Sequence, residues 1–322
     1  MSVLIDAERL RALTPWPNLI DALQSAFREP CEVPERLHFD IGGAGSLIVM
    51  PAWQQNGFLG VKVVQVFPGN STIGKPTVHG MYMLASAGNG EVLTFIDAQE
   101  LTARRTAATS ALASRFLSRD SSRCLLVMGT GRLAAEVIPA HAAVRPIEQV
   151  LIWGRNRERA SSLADRINET LALRAQPVDS LDHALSQADI ISTVTASFDP
   201  ILRGRSLRPG THIDLIGGYT PSMREADDDV IRAAAIYLDK MSSAVREAGD
   251  IANPLERGII DRSAIRGDLF DLCTGRVPKR SADRDITLFK SVGLALEDLA
   301  AAALAWNTFS DSSSRDKKNA LK

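Results

Sequence analysis

The chain has 322 residues, which is long for one domain, so we expect two domains. It carries 37 basic and 38 acidic residues, and this balance excludes an extended basic surface for nucleic acid or for an anionic membrane. Three scattered cysteines, and an acid at Asp6 before any long apolar run, argue against a disulfide framework and against a signal peptide. The expected location is therefore cytoplasmic.

The first 118 residues predict an α+β domain. A helix is expected near 18–28, and strands are expected at 47–50, 58–67, 80–86 and 91–96. The last two strands flank Asn89-Gly90, a pair that favours the positive-φ turn of a β-hairpin. A second helix is predicted from about residue 98 to residue 117.

The middle of the chain alternates short apolar strands with amphipathic helices, which is typical of a parallel sheet covered on both faces. The six strand candidates are 124–128, 149–153, 171–178, 190–194, 212–216 and 235–238. The predicted fold class is α/β, with a doubly wound Rossmann domain at 119–285 and an α+β domain at 1–118 and 286–322. The Ala-rich segment 288–306 is predicted to be a helix that returns to the first domain.

A glycine-rich turn follows the first strand of the alternating series. Its sequence is Gly129-Thr130-Gly131-Arg132-Leu133-Ala134. The first glycine permits a tight turn, the second lets the backbone approach a pyrophosphate, and the small third residue lets the helix pack on the strand. The segment predicts a dinucleotide site at a helix N-terminus. The alternative is a glycine-rich turn in an α/β protein that binds no nucleotide.

The residues after the second strand of this series indicate which dinucleotide is bound. They are Gly154-Arg155-Asn156-Arg157, without the acid that usually binds a free ribose 2′-hydroxyl. Guanidinium groups pair well with a 2′-phosphate, so NADPH is the expected cofactor, and acceptance of both NADPH and NADH is kept as an alternative. The alternative is that both arginines belong to the solvated first turn of a helix.

Two cations in the first domain are candidates for binding an anionic substrate. Lys62 lies between apolar residues on a predicted strand, and an unpaired buried ammonium is costly. Arg105 lies on a predicted helix among alanines and threonines too small to cover it. Together they would bind an α-carboxylate. The alternative is structural ion pairing, with Asp40, Asp97 or Glu100 as the partners.

Several segments in order along the chain resemble the ornithine cyclodeaminase/mu-crystallin family. They are Lys62 with 67–70, then 76–80, 101–108, 129–134, 152–155, 214–217 with 224–225, and 287–293 with 297–298. The resemblance implies a homodimer built through the first domain, with a small substrate in the cleft between domains. It places Arg36, Lys62, Thr77 and Arg105 around the substrate, and Thr106, Val194 and Thr195 near the cofactor.

The family includes cyclodeaminases, alanine dehydrogenase-like enzymes and reductases of cyclic ketimines. Cyclodeaminases resembling it carry an aspartate after the two residues that match Gly217-Gly218, whereas this chain has Tyr219. Tyrosine is a poor base for readying an amine, so the sequence argues against cyclodeamination.

We therefore expect NAD(P)H-dependent reduction of a cyclic imino acid, Δ1-pyrroline-2-carboxylate to L-proline, or its six-membered analogue to L-pipecolate. Lys62 is the expected proton source at the imine nitrogen, and Arg105 is expected to lower its pKa. The alternatives are an ornithine cyclodeaminase, an alanine dehydrogenase-like enzyme, and a non-catalytic protein that binds NADPH and a small ligand. The five histidines show no metal-ligand spacing, and no metal is expected.

Overall fold

The structure, a computed structural model, describes residues 3–319. The chain forms two compact units, one comprising Met1–Arg105 and Leu294–Lys322 and the other comprising Thr106–Gly293. Both the Rossmann-type α/β unit and the α+β unit expected from the sequence are present, so the predicted fold class is confirmed. In the described part of the chain, no helix is both long enough and apolar enough to cross a membrane.

The first unit is built on a six-stranded sheet in the order β1-β6-β5-β4-β3-β2. Only the β1–β6 pair is parallel. The strands are β1 (Val3–Ile5), β2 (Leu37–Asp40), β3 (Ser46–Trp53), β4 (Phe58–Val66), β5 (Val78–Ser86) and β6 (Val92–Asp97). The helices α1 (Ala7–Leu13) and α2 (Trp16–Ala26) precede the second unit, and α3 (Ala98–Leu117) begins in the first unit and continues into the second.

Strand alternation gives this sheet one buried and one exposed face. Lys62 is directly opposite Tyr82 across the β4–β5 pair, and both are buried on the same face. The predicted hairpin between β5 and β6 is present, and Gly90 has the positive φ of 75° that the turn requires. Because the side-chain period is two, this register fixes which polar residues enter the interior.

The second unit contains an eight-stranded parallel sheet in the order β13-β12-β14-β11-β10-β7-β8-β9. Its strands are β7 (Cys124–Met128), β8 (Gln149–Trp153), β9 (Arg174–Pro177), β10 (Ile190–Thr193), β11 (His212–Leu215), β12 (Ala235–Leu238), β13 (Ile265–Asp268) and β14 (Thr287–Lys290). Its helices are α4 (Arg132–Ala142), α5 (Arg157–Thr170), α6 (Leu181–Gln187), α7 (Asp228–Ala233), α8 (Met241–Glu247), α9 (Gly249–Glu256) and α10 (Leu269–Thr274). All six predicted strands are present, but the prediction missed β13 and β14.

The last helix, α11 (Ala295–Asn319), packs in the first unit against α2, β3 and β4. The prediction of a helix from residue 288 was wrong, because β14 occupies 287–290 and inserts between β11 and β12. The boundaries between the two units also differ from the predicted positions, which were 118/119 and 285/286. The first falls within α3, after Arg105, and the second follows β14, after Gly293.

Candidate functional site

The first unit contains a buried cluster of two cations and two carboxylates. Lys62 is 2% exposed on β4, and its Nζ lies 2.9 Å from Asp298 Oδ1. The same ammonium donates to the hydroxyl of Thr102 on α3 at 3.3 Å. Asp298 itself is fully buried on the first turn of α11. The register of β4 and the docking of α11 therefore bring these charges together.

Arg105 joins the cluster from α3 and is 5% exposed. Its Nε donates to Asp298 Oδ1 at 3.0 Å, and its Nη1 donates to Glu297. The ion-pair partners suggested from the sequence, Asp40, Asp97 and Glu100, were wrong. Glu100 instead forms a bidentate pair with Arg11, at 2.7 Å for each bond. The expectation that the Arg105 guanidinium is left uncovered was also wrong, because α11 covers it with two acids.

The cluster shifts the pKa of Lys62 into the range useful for proton transfer. The pKa of Lys62 is lowered to about 8, with burial as the largest cause; Asp298 opposes this shift, and the neighbouring Arg105 charge adds to it. The predicted effect of Arg105 on Lys62 thus has the expected direction, although burial is the larger cause. A lysine with a pKa near 8 holds its proton at neutral pH and can release it readily.

The other two predicted substrate residues immediately precede strands of the same sheet, Arg36 before the edge strand β2 and Thr77 before the interior strand β5. Arg36 is half-buried and immediately precedes β2. Because side chains alternate between the two faces of a strand, its position belongs to the face of the sheet that carries Lys62. Thr77 is half-buried at the start of β5, where its carbonyl accepts a hydrogen bond from the Phe67 amide at 2.7 Å. Their part in substrate binding therefore remains a prediction.

The glycine-rich turn has the geometry of a dinucleotide site. Gly129 has a φ of 130°, and a Cβ atom there would lie 2.8 Å from Val194, so only glycine fits. Gly131 precedes α4, and a Cβ atom there would meet nothing within 4 Å, which leaves open space above the helix N-terminus. A pyrophosphate fits such an opening, because the first backbone N–H groups of a helix attract anions.

A cleft of about 560 Å³ lies beside this turn in the second unit. It is lined by six residues predicted from the sequence, which are Gly129, Thr130, Arg155, Asn156, Val194 and Thr195. Gly131, Arg132 and Leu133 lie at the adjacent start of α4, and the buried Thr106 lies on α3 outside this lining. All eleven cofactor assignments remain predictions.

The two arginines after β8 that line the cleft are Arg155 and Arg159, whereas the prediction named Arg155 and Arg157. Arg157 turns to form an ion pair with Asp179 and does not line the cleft. Arg159, one helical turn after Arg155, lines it instead. The prediction missed Arg159 because it considered only the residues up to Arg157. In the described residues, neither Arg155 nor Arg159 has an ion-pair partner, so both guanidinium groups suit an anionic ligand in the cleft.

The described residues contain no group of three His, Cys, Asp or Glu side chains placed to hold a metal ion. The parallel sheet, the glycine-rich turn and the cleft at the carboxyl ends of the strands together define a dinucleotide-binding protein of the Rossmann class.

Comparison with known proteins narrows this class. The sequence profile of the ornithine cyclodeaminase/mu-crystallin family matches residues 5–313. A Δ1-pyrroline-2-carboxylate reductase of Colwellia psychrerythraea is 34% identical, over 93% of this chain and 96% of that protein. The Thermococcus litoralis Δ1-pyrroline-2-carboxylate reductase, solved in complex with NADH and L-proline, is 30% identical with a TM-score of 0.92, covering 97% of this chain and 98% of that one.

An archaeal alanine dehydrogenase dimer with bound NAD is 26% identical with a TM-score of 0.90, and the match covers 97% of each chain. The chain belongs to the ornithine cyclodeaminase/mu-crystallin family, as the sequence predicted. It is an enzyme, an oxidoreductase of that family.

Proposed function

We propose that the chain reduces a cyclic imino acid, Δ1-pyrroline-2-carboxylate, to L-proline with NADPH as the reductant. The observation that carries this proposal is the buried Lys62, whose pKa of about 8 suits a proton donor. Two relatives that cover nearly the whole chain are reductases of this substrate. Tyr219 supports the same choice, because its half-exposed phenol replaces the carboxylate base expected of a cyclodeaminase.

Each charged residue has a distinct part in the proposed reaction. A bound reduced nicotinamide supplies the hydride. Lys62 holds a proton for the imine nitrogen, and Arg105 with Arg36 receives the substrate carboxylate. Glu297 and Asp298 keep Lys62 and Arg105 charged inside the protein, since a buried cation without a counter-ion is strongly disfavoured. Thr77, which precedes β5, is assigned to the substrate site by the family resemblance alone.

The function is tested by following NADPH absorbance with Δ1-pyrroline-2-carboxylate, its six-membered analogue, and pyruvate with ammonia as separate substrates. We expect rapid oxidation with the cyclic imines and little with pyruvate and ammonia. A parallel reaction with L-ornithine and NAD⁺ is expected to release no ammonia. Ammonia release from ornithine, with no NADPH oxidation by either imine, would reject the proposal in favour of cyclodeamination.

NADPH preference is assigned to Arg155 and Arg159, which would pair with the 2′-phosphate. Replacing either by alanine removes one charge-assisted bond, so we expect KM for NADPH to rise by about tenfold, with KM for NADH nearly unchanged. Arg157→Ala is the matched control, because that side chain is held by Asp179. Steady-state kinetics with both cofactors decide the matter. An equal rise in KM for NADPH and for NADH would show that the arginines do not bind the 2′-phosphate.

A homodimer is proposed to form through the exposed face of the six-stranded sheet. Five large apolar side chains lie there at alternate positions, which are Leu4, Leu37, Phe39, Met81 and Phe95, each 37–55% exposed. Contiguous exposed apolar surface of this kind marks an interface. We expect Phe39→Glu with Met81→Glu to give a monomer in light scattering, whereas Ala172→Glu in the second unit stays dimeric. A monomeric unmodified protein would contradict the assignment.

A further inference from the structure

The second unit contains a buried carboxylate, Glu225, that accepts four hydrogen bonds. Its Oε1 accepts from the amide of Thr195 at 2.8 Å and from the Thr195 hydroxyl at 2.7 Å. Its Oε2 accepts from the amides of Gly217 at 2.7 Å and Gly218 at 3.2 Å. Glu225 is fully buried, so all four bonds are shielded from water. One side chain therefore joins two separate loops.

These two loops follow neighbouring strands and lie in direct contact. Thr195 follows β10 and lines the cofactor cleft, whereas Gly217 and Gly218 follow β11. A Cβ atom on Gly217 would lie 1.9 Å from the carbonyl oxygen of Thr195, so only glycine lets the loops approach so closely. On its other side, the first loop contacts the glycine-rich turn, where Val194 abuts Gly129. The loop after β10 is thus fixed between Glu225 and that turn.

A second layer fixes Glu225 itself. Asp250 Oδ1 accepts hydrogen bonds from the amides of Glu225 at 2.8 Å and Ala226 at 3.0 Å. The ammonium of Lys290, also fully buried, lies 3.4 Å from the other oxygen of Asp250. The pKa of Glu225 is raised, mainly by burial and also by the neighbouring Asp250 charge, while Lys290 and the bonds from Thr195 oppose the shift. Buried groups held in this way are rigid, which is what a positioning role needs.

We infer that Glu225 is a positioning residue for the nicotinamide half of the cofactor. The inference rests on the proposed function for the identity of that cofactor. In a doubly wound sheet the dinucleotide lies across the carboxyl ends of the strands, with its pyrophosphate at the glycine-rich turn. Arg155 and Arg159 occupy the adenosine side of this cleft, beside β8. The opposite side is formed by the loop after β10, so Glu225 holds the surface against which the nicotinamide ring rests.

A carboxylate is required at position 225 because all four hydrogen bonds to this side chain are donated to it. Glutamine has one carbonyl oxygen and places an NH₂ group where Glu225 accepts a second pair of bonds, so two donors would oppose each other. Glu225→Gln keeps the size of the side chain and releases one of the two loops. We therefore expect the variant to lose affinity for the nicotinamide half of the cofactor and to keep its affinity for the adenosine half.

The test compares two ligands on the whole protein without an imino acid. NADPH is titrated by its own fluorescence, and adenosine 2′,5′-bisphosphate, which lacks the nicotinamide, is titrated by calorimetry. For Glu225→Gln we expect NADPH to bind about tenfold more weakly, equivalent to about 1.4 kcal/mol, with the bisphosphate affinity unchanged. Thr195→Val, which removes one of the four bonds, is expected to give a smaller change in the same direction and serves if Glu225→Gln does not fold.

Asp189→Asn is the matched control. Asp189 also accepts hydrogen bonds from backbone amides, those of Arg123 at 2.8 Å and Cys124 at 3.0 Å, but it lies at the amino ends of the strands. We expect Asp189→Asn to lower the unfolding midpoint and leave both affinities unchanged. Equal weakening of both ligands by Glu225→Gln, or no weakening of either, would overturn the inference. If the unmodified protein binds NADPH but does not reduce the imine, the proposed function fails while this comparison still holds.

Discussion

Replacing Lys62 by methionine is expected to lower kcat for imine reduction by about 100-fold to 10,000-fold, the usual contribution of a positioned general acid. The ammonium is buried beside Asp298 and has a pKa of about 8, so it carries a transferable proton at neutral pH. Methionine fills a similar volume but holds no proton. NADPH affinity is expected to remain unchanged, because the cofactor cleft is formed by the second unit.

The control for this variant is Lys279→Met, which removes an exposed lysine from the second unit. It is expected to keep full activity. Circular dichroism and NADPH titration establish that Lys62→Met is folded before its rate is interpreted. A folded Lys62→Met enzyme with near-normal kcat would show that the proton comes from another group.

The pH dependence of kcat/KM for the imino acid should follow the protonation of Lys62. Because its pKa is lowered, Lys62 is charged below about pH 8 and neutral above it, so kcat/KM for the imino acid should fall tenfold per pH unit above that value. Asp298 raises this pKa, and Asp298→Asn should therefore move the break to lower pH. The measurement is kcat/KM against pH for both enzymes. A break that stays in place would assign it to the substrate or to another residue.

Arg105→Met is expected to have the largest effect on stability. It leaves Glu297 and Asp298 buried with Lys62 as the remaining cation of the cluster, and removing one partner of a buried ion pair costs about 3–5 kcal/mol. The same variant loses a ligand for the substrate carboxylate, so KM for the imino acid should rise at least tenfold. Urea unfolding and steady-state kinetics measure the two effects separately.

Arg104→Met is the matched control for this change. Arg104 is the preceding residue on α3 and is also buried, but its guanidinium lies over the Trp16 ring at 4.1 Å and bonds to Thr14. We expect it to lose stability without a change in KM. If Arg105→Met does not fold, the double variant with Glu297→Gln restores charge balance and is measured in its place. Equal KM values for the Arg104 and Arg105 variants would exclude Arg105 from substrate binding.

The fold class was predictable because most of its elements are local patterns. Apolar runs and the glycine-rich turn identified β7, β8 and β10–β12, and strand-forming segments of the first domain identified β3 to β6. Four strands were missed. Strands β1 and β2 have only three and four residues, and β13 and β14 also carry weak signals. The strand β13 contains Arg266 and Gly267, which are poor strand signals, and β14 is four residues long and leads into an Ala-rich helix.

The burial of Lys62 and Arg105 was predictable from the sequence, but the carboxylates that pair with them were not predicted. Lys62 and Arg105 stood out because buried cations need anions, yet their partner Asp298 is 236 residues from Lys62 in sequence. A signal was available, since Glu297 and Asp298 are adjacent acids within an apolar helical stretch. Arg157 and Arg159 could not be distinguished from sequence, because the choice depends on the direction of the first turn of α5 and on Asp179.

The most direct test of imine reduction is the stoichiometry of the reaction. The protein is incubated with Δ1-pyrroline-2-carboxylate and NADPH, and the proline formed is measured by chiral chromatography beside the NADPH oxidised. We predict one L-proline for each NADPH consumed, with no ammonia released. NADPH that binds but is not consumed, or a mixture of L- and D-proline in equal amounts, would contradict a substrate site in which Arg105 and Lys62 bind the imino acid in one orientation.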